Sequence, residues 1–232
     1  MTKHLLVLVL LNACAADEPT GDAPPVPTQL RVTGQAAEVS ATSGVTPLAY
    51  LAIEAYRSTD DVTPIAETAT DVLGNYSLDI ATDGVTPFDG YLRASAAGYV
   101  DTYVYAPDSL SANYDGAPVR MVKSDTLSAL ELVCGADQLS GNGMVAAFVG
   151  NDQHTPVEGA TVQSTPAANK YCYNGADGLP DSVRLTTNTD GVAYAFNVTG
   201  PVTVSATKPS ATFKPRKVTS RADAVTIVLV AP

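Results

Sequence analysis

The chain has 232 residues, 45% hydrophobic and 16% charged, with 16 prolines, 17 glycines and no tryptophan. Its formal net charge is −11, a surface that repels phosphate backbones and so argues against nucleic acid as a partner. Few Lys and Glu among much Thr, Val, Ala and Gly indicate a globular all-β chain.

The N-terminus is short and basic, Met1-Thr2-Lys3-His4, followed by Leu5 to Leu11, an unbroken run of Leu and Val. Such a run suits the apolar part of an export signal and falls well short of the ~20 residues that cross a bilayer. Leu11-Asn12-Ala13-Cys14 resembles the lipobox of bacterial lipoproteins, with Asn12 a less usual second position. The resemblance implies cleavage before Cys14 and a lipid on its sulfur, which would make the membrane a partner. Ordinary signal-peptidase cleavage after Ala13 or Ala16 is the alternative. In lipoproteins of this kind a residue other than Asp after the Cys implies the outer membrane, and Ala15 fits that. Residues 15–28 hold four prolines, a glycine and three acids, too little apolar surface to offset the entropy of ordering. The expected organisation is a signal at 1–13, a tether at 14–29, a first sandwich at 30–123, a joining helix at 124–137 and a second sandwich at 138–232.

Two sandwiches are expected because three blocks recur in the same order. Thr46-Pro47 and the run to Ile53 match Thr155-Pro156 and the run to Val162. Thr70-Asp71-Val72-Leu73-Gly74-Asn75-Tyr76 aligns with the stretch opening Thr189-Asp190-Gly191. Tyr91 to Ala96 aligns with Val202 to Ala206. Thr-Pro before an alternating run reads as a turn feeding a strand, and Asp-x-x-Gly before renewed alternation as a hairpin. Short strands with turn signals every 8–12 residues make a β-sandwich. Between the repeats, Leu127, Leu130, Val133 and Cys134 fall at helical spacing, with Ser124 or Asp125 as the start and Gly135 as the stop. Pro156 to Asp190 spans 34 positions against 24 from Pro47 to Asp71, so the second repeat carries an insertion that includes Cys172.

Gly74, Tyr76, Gly98 and Tyr99 resemble the pattern of carboxypeptidase regulatory-like domains. The resemblance implies a pair of prealbumin-like (transthyretin-like) β-sandwiches and no peptidase activity. The second repeat departs from the pattern, running into Thr207-Lys208-Pro209 with no Gly-Tyr. Modules of this fold in pilins and adhesins form Lys–Asn isopeptide bonds, but the first repeat has no Lys before Lys123.

If Cys14 carries lipid, Cys134 and Cys172 remain as a pair in an oxidising compartment and are expected to bridge, with free thiols as the alternative. Two cysteines and one further histidine are too few for zinc. His154 lies in a turn with no Gly-x-Ser-x-Gly nearby, so no hydrolase triad is expected. The acidic loops at Asp60-Asp61 and Asp177 to Asp181 lack the ligand density of a calcium site. No cofactor, metal site or catalytic set is therefore expected. Alternation places Tyr99, Asp101, Tyr103 and Tyr105 on one strand face, a candidate surface for stacking on sugar rings or seating a protein. Tyrosines that merely clothe a sheet are the plainer reading. The expected function is a non-enzymatic structural or protein-interaction module of the envelope, with carbohydrate binding as the alternative. An unknown envelope protein or glycan is the expected partner.

Overall fold

A computed structural model describes residues 25–40 and 44–232. The segment expected as an export signal, Cys14 and most of the expected tether lie outside the described residues. Among the described residues the chain is all-β apart from one helix. The first half runs β1 (Gln29–Ser40), β2 (Gly44–Pro47), β3 (Ala52–Arg57), β4 (Ala66–Ala69), β5 (Asn75–Ala81), β6 (Gly90–Ala94), β7 (Thr102–Tyr105) and β8 (Tyr114–Met121). Helix α1 (Ser124–Cys134) follows. The second half runs β9 (Gly143–Val149), β10 (Thr161–Thr165), β11 (Lys170–Asn174), β12 (Pro180–Asp181), β13 (Val192–Val198), β14 (Gly200–Lys208), β15 (Ala211–Thr212), β16 (Arg216–Ser220) and β17 (Val225–Val230).

The repeat is visible in the strand pairing. In the first half β1 pairs antiparallel with β5 and parallel with β8, while β3 pairs with β6 and β6 with β7. In the second half β9 pairs antiparallel with β13 and parallel with β17, while β10 pairs with β14 and β14 with β16. The same connectivity builds two sandwiches.

A threonine pins the equivalent corner of each. The Thr70 hydroxyl donates to Leu48 O at 2.6 Å and accepts from Leu51 N at 2.9 Å. The Thr187 hydroxyl donates to Val157 O at 2.7 Å and accepts from Ala160 N at 2.9 Å. The turn four residues on is also shared: Gly74 (φ 78°) and Gly191 (φ 71°) are left-handed, and their carbonyls accept from Ala36 N and Val149 N. A Cβ at either glycine would stand 2.4 Å from Ala36 O or 2.5 Å from Val149 O, so only glycine fits. The structural counterpart of Thr70-Asp71 is therefore Thr187-Asn188, two residues before the pair chosen by sequence alignment. The dipeptide Thr189-Asp190 lies inside the turn instead.

The layers are not independent. The larger sheet has nine strands in the order β12-β11-β13-β9-β17-β7-β6-β3-β4 and runs through both halves. At its centre β17 lies parallel to β9 over six register pairs and parallel to β7 over four. On one face the layer built on β1 covers β3, β6 and β7 around Leu30, Ile53, Ile80, Leu92, Val104 and Val119. On the opposite face the β10-β14-β16 layer covers β9, β13 and β17 around Val145, Val149, Val162, Val204, Val228 and Val230. Alternation along β17 and β9 sends neighbouring residues into opposite cores, which is why Val-Thr-Ile-Val-Leu-Val carries no charge.

Helix α1 packs on the same side as the β1 layer, with Leu127, Leu130 and Cys134 against Met144, Cys172, Phe196 and Val225. Its N-terminal boundary residue is Lys123, with no side-chain cap, and Gly135 closes it in the left-handed region, its amide donating to Leu132 O. Val133, counted among the inward positions by spacing, is half exposed. No helix among the described residues is long and apolar enough to cross a membrane.

Candidate interaction surface and the seam between the two modules

The four residues of the expected tyrosine face do not share one environment. Tyr103 and Tyr105 do share a face of β7. Their rings join Tyr91 of β6 and Tyr56 of β3, with centroids 5.8 Å (Tyr91–Tyr103), 5.2 Å (Tyr91–Tyr105) and 5.5 Å (Tyr56–Tyr91) apart. Tyr56, Tyr91 and Tyr105 are buried and Tyr103 half-buried. The group is contiguous with the core of the second module.

What covers it comes from the far end of the chain. Arg221, just past β16, places its Cζ 4.3 Å from the Tyr91 centroid and 4.2 Å from that of Tyr103. Its Nη1 donates to Tyr105 Oη and to Thr219 O, both at 3.2 Å. A planar guanidinium between two aromatic faces combines cation–π attraction with shape fit. At the other end of β16, Arg216 donates to Ala106 O at 2.9 Å and pairs with Asp89 at 3.0 Å. Nearby, His154 of the second module meets Tyr114 of the first edge-on, centroids 5.9 Å apart. Burial pushes the Tyr91 phenol up to about 12, against the opposing pull of Arg221.

Asp101 lies at the rim of this seam. Its carboxylate accepts from Arg93 at 3.0 Å and Ser95 at 2.6 Å, and its carbonyl accepts from Val225 N at 2.9 Å. Arg93 also reaches Glu54 at 3.9 Å, and the Tyr56 hydroxyl donates to Glu54 at 2.8 Å. A half-exposed polar strip of Glu54, Arg93, Ser95 and Asp101 results, edged by Tyr103.

Tyr99 belongs elsewhere. It bridges to Lys123, and Val100 N donates to Val122 O, before β7 begins at Thr102. Its ring packs against the β1-layer core, and its hydroxyl donates to Glu38 at 2.5 Å, where Lys123 also pairs at 3.0 Å. The Tyr99 hydrogen bond and then Lys123 hold the Glu38 carboxyl below its usual range.

Cys134 and Cys172 form a disulfide with Cα atoms 5.7 Å apart. It fastens the end of α1 to the middle of β11, within the insertion. The acidic loops are turn caps: Asp60 accepts from Val62 N and Thr63 N, Asp177 from Leu179 N, and Asp181 from Val183 N. Among the described residues no group of three His, Cys, Asp or Glu could hold a metal.

The seam residues missed by sequence reading are Tyr56, Tyr91, Arg216 and Arg221. Their signal was two arginines bracketing one short strand in a chain with 13 cationic residues.

No family model matches the chain, and no curated protein matches it. Among solved structures it is similar to the shaft pilin SpaA of Lactobacillus rhamnosus GG at 12% identity, covering 88% of this chain and 98% of that one, TM-score 0.29. The minor pilin GBS52 of Streptococcus agalactiae is 10% identical over 87% of this chain and 94% of that one, TM-score 0.28. The Bacillus anthracis TIE protein is 14% identical over 87% of this chain, TM-score 0.28, and the chain spans about a third of its length (34%). At these TM-scores the likenesses carry no argument, and the architecture above rests on strand registers.

Proposed function

We propose that this chain is a non-enzymatic structural or protein-interaction module of the bacterial cell envelope, tethered to the outer membrane by a lipid on Cys14. One observation carries the structural part of this reading. Both sandwiches share the nine-stranded sheet, and Arg221 and Arg216 lock β16 onto the first module. A body made this way holds its two outer ends at a fixed distance and orientation, which suits a spacer or docking platform. The lipobox-like Leu11-Asn12-Ala13-Cys14 and the proline-rich residues after it support the anchor. The Thr-Asp-x-x-Gly-x-Tyr corner, with Gly74 left-handed, supports assignment of the first module to the carboxypeptidase regulatory-like kind.

Radioactive palmitate fed to expressing cells tests the anchor. Label in the wild type and none in Cys14→Ser is expected, and label in the variant would refute it. In-cell crosslinking followed by mass spectrometry tests the interaction role, with a defined envelope protein as the expected capture.

Carbohydrate binding is a second reading, and the half-exposed strip of Glu54, Arg93, Ser95, Asp101 and the Tyr103 edge is the observation in its favour. It predicts glycan-array signal that disappears in Tyr103→Ala. Signal from no glycan would end that reading without touching the first.

A further inference from the structure

The two equivalent corners are built by the same bonds and finished with opposite chemistry. In the second module Gly159 N donates to Thr187 O at 2.8 Å, and in the first Tyr50 N donates to Thr70 O at 3.1 Å. Tyr50 therefore occupies the place of Gly159, and both are left-handed, at φ 58° and 77°. Glycine adopts that conformation freely, whereas a bulky aromatic residue there is an outlier held at a cost. In the adjoining turn Val72 and Leu73 take the places of Thr189 and Asp190, and Ala49 takes that of Glu158.

The apolar side chains do not serve the core. Tyr50 is 75% exposed, Val72 66% and Leu73 61%. The second corner closes around Gly159, Thr189 and Asp190 with the same threonine and backbone bonds, so forming the corner does not call for them. The two turns of the first corner are stitched side by side, through Tyr50 N to Thr70 O, Leu48 N to Ala36 O and Ala36 N to Gly74 O. Tyr50, Val72 and Leu73 thus make one apolar tip at an end of the first module, a knob and not a groove.

The surroundings of this tip suit a neutral bilayer. Asp71 is the one charged residue in the two turns. Its own turn engages it: the carboxylate accepts from Leu73 N and Asn75 N at 2.8 Å and from Asn75 Nδ2 at 3.2 Å. With no Lys or Arg in either turn, anionic headgroups are not what the tip selects. Aliphatic side chains enter the acyl boundary, and a tyrosine ring with a polar end sits at headgroup level. A protein partner would need a pocket cut to this knob, whereas a bilayer receives it without one.

The reach of the chain fits as well. Gln29 is paired with Ala81 and Gln35 with Asn75, so the tip lies about 20 Å along the strands from the start of β1. A segment as long as Cys14 to Gln29 can span up to about 50 Å. A chain held at Cys14 could therefore lay its tip on the same membrane.

We infer that Tyr50, Val72 and Leu73 form a membrane-inserting tip that seats the first module in the interfacial layer of an electrically neutral bilayer. The inference rests on the contrast between the two corners and holds with or without a lipid on Cys14.

The chain has no tryptophan, so Tyr50→Trp supplies a single fluorescent probe at the tip. Leu73→Trp gives a second probe there, and Thr189→Trp gives the matching probe at the second corner. Each full chain is mixed with vesicles of phosphatidylcholine brominated in its acyl chains. Emission from both tip probes should move to shorter wavelength and be quenched several-fold, while that of Thr189→Trp should change little. Adding Val72→Thr and Leu73→Asp to Tyr50→Trp copies the second corner onto the first and should abolish the quenching. Those residues already close one corner of this chain, and circular dichroism matching the wild type checks the fold of every variant. Tip probes that stay unquenched at high vesicle concentration would overturn the inference, and flotation of the same chains with the vesicles would then leave the anchor reading standing. A tip emission that moves only when envelope proteins are added would assign the tip to a protein partner and overturn the bilayer assignment.

Discussion

The two modules have the same connectivity and opposite fates at their last strand. In the first, β8 runs along the rim of a small sheet, paired on one edge only, and hands the chain to α1. In the second, β17 takes the same place beside β9 but offers its free edge to β7 of the first module. One repeat unit therefore ends as an edge and the other as the centre of a sheet. A strand's local sequence says that it is buried on both faces, and its neighbours decide how much of the molecule depends on it. Val119 and Met121 at the rim serve one core, whereas Val225, Ile227, Val228 and Val230 together reach all three.

Removing residues 225–232 should have the largest effect. It opens the sheet in both modules, and the loss should exceed the about 5–15 kcal/mol that holds a typical domain together. Circular dichroism should show no cooperative unfolding, whereas a first module that folded unaided would restrict the importance of β17 to the second. The shared corner sharpens the comparison from the other side. Gly74→Ala and Gly191→Ala each force a Cβ against a carbonyl at positive φ, at about 3 kcal/mol apiece. Equal shifts in denaturant midpoint are expected, because in a fused body either corner unfolds the whole. Arg221→Met removes the stack on Tyr91 and Tyr103 and the bond to Tyr105, about 2 kcal/mol. It should lower the thermal midpoint of the entire protein.

The smallest effect belongs to Glu38, held by Tyr99 and Lys123. Its carboxyl titrates below the ordinary value, so its contribution is present above that value and lost as pH falls through the lowered one. Glu38→Gln should lower the urea midpoint slightly at neutral pH, and the difference should vanish in acid.

Much of the fold was legible in the sequence because turn chemistry is local. Gly at a left-handed corner marks both modules, and an even pair of cysteines foretold the bridge now seen between Cys134 and Cys172. Thr46-Pro47, expected as a turn feeding a strand, instead closes β2, paired with Glu38 and Ala37 of β1. The two-residue slip at the second corner has a simple cause. Thr189-Asp190 has the same side chains as Thr70-Asp71, whereas the true counterpart, Thr187-Asn188, differs by an amide. The hydrogen-bonding hydroxyl of Thr187 distinguishes them, and no spacing rule records it. Alternation placed Tyr103 and Tyr105 on one face but also enrolled Tyr99, which precedes β7 and pairs with Lys123. Nothing near Tyr103 announced Arg221, since their contact spans more than a hundred residues. Pairing of β17 with β7 was equally invisible, because an uncharged six-residue strand is compatible with many neighbours.

Calorimetry of the full chain tests the fusion of the two modules most directly. One transition is expected, with the calorimetric enthalpy equal to the van't Hoff enthalpy, and the Arg221→Met variant should move that single peak as a whole. Two resolved transitions, or a van't Hoff enthalpy near half the calorimetric value, would contradict the account.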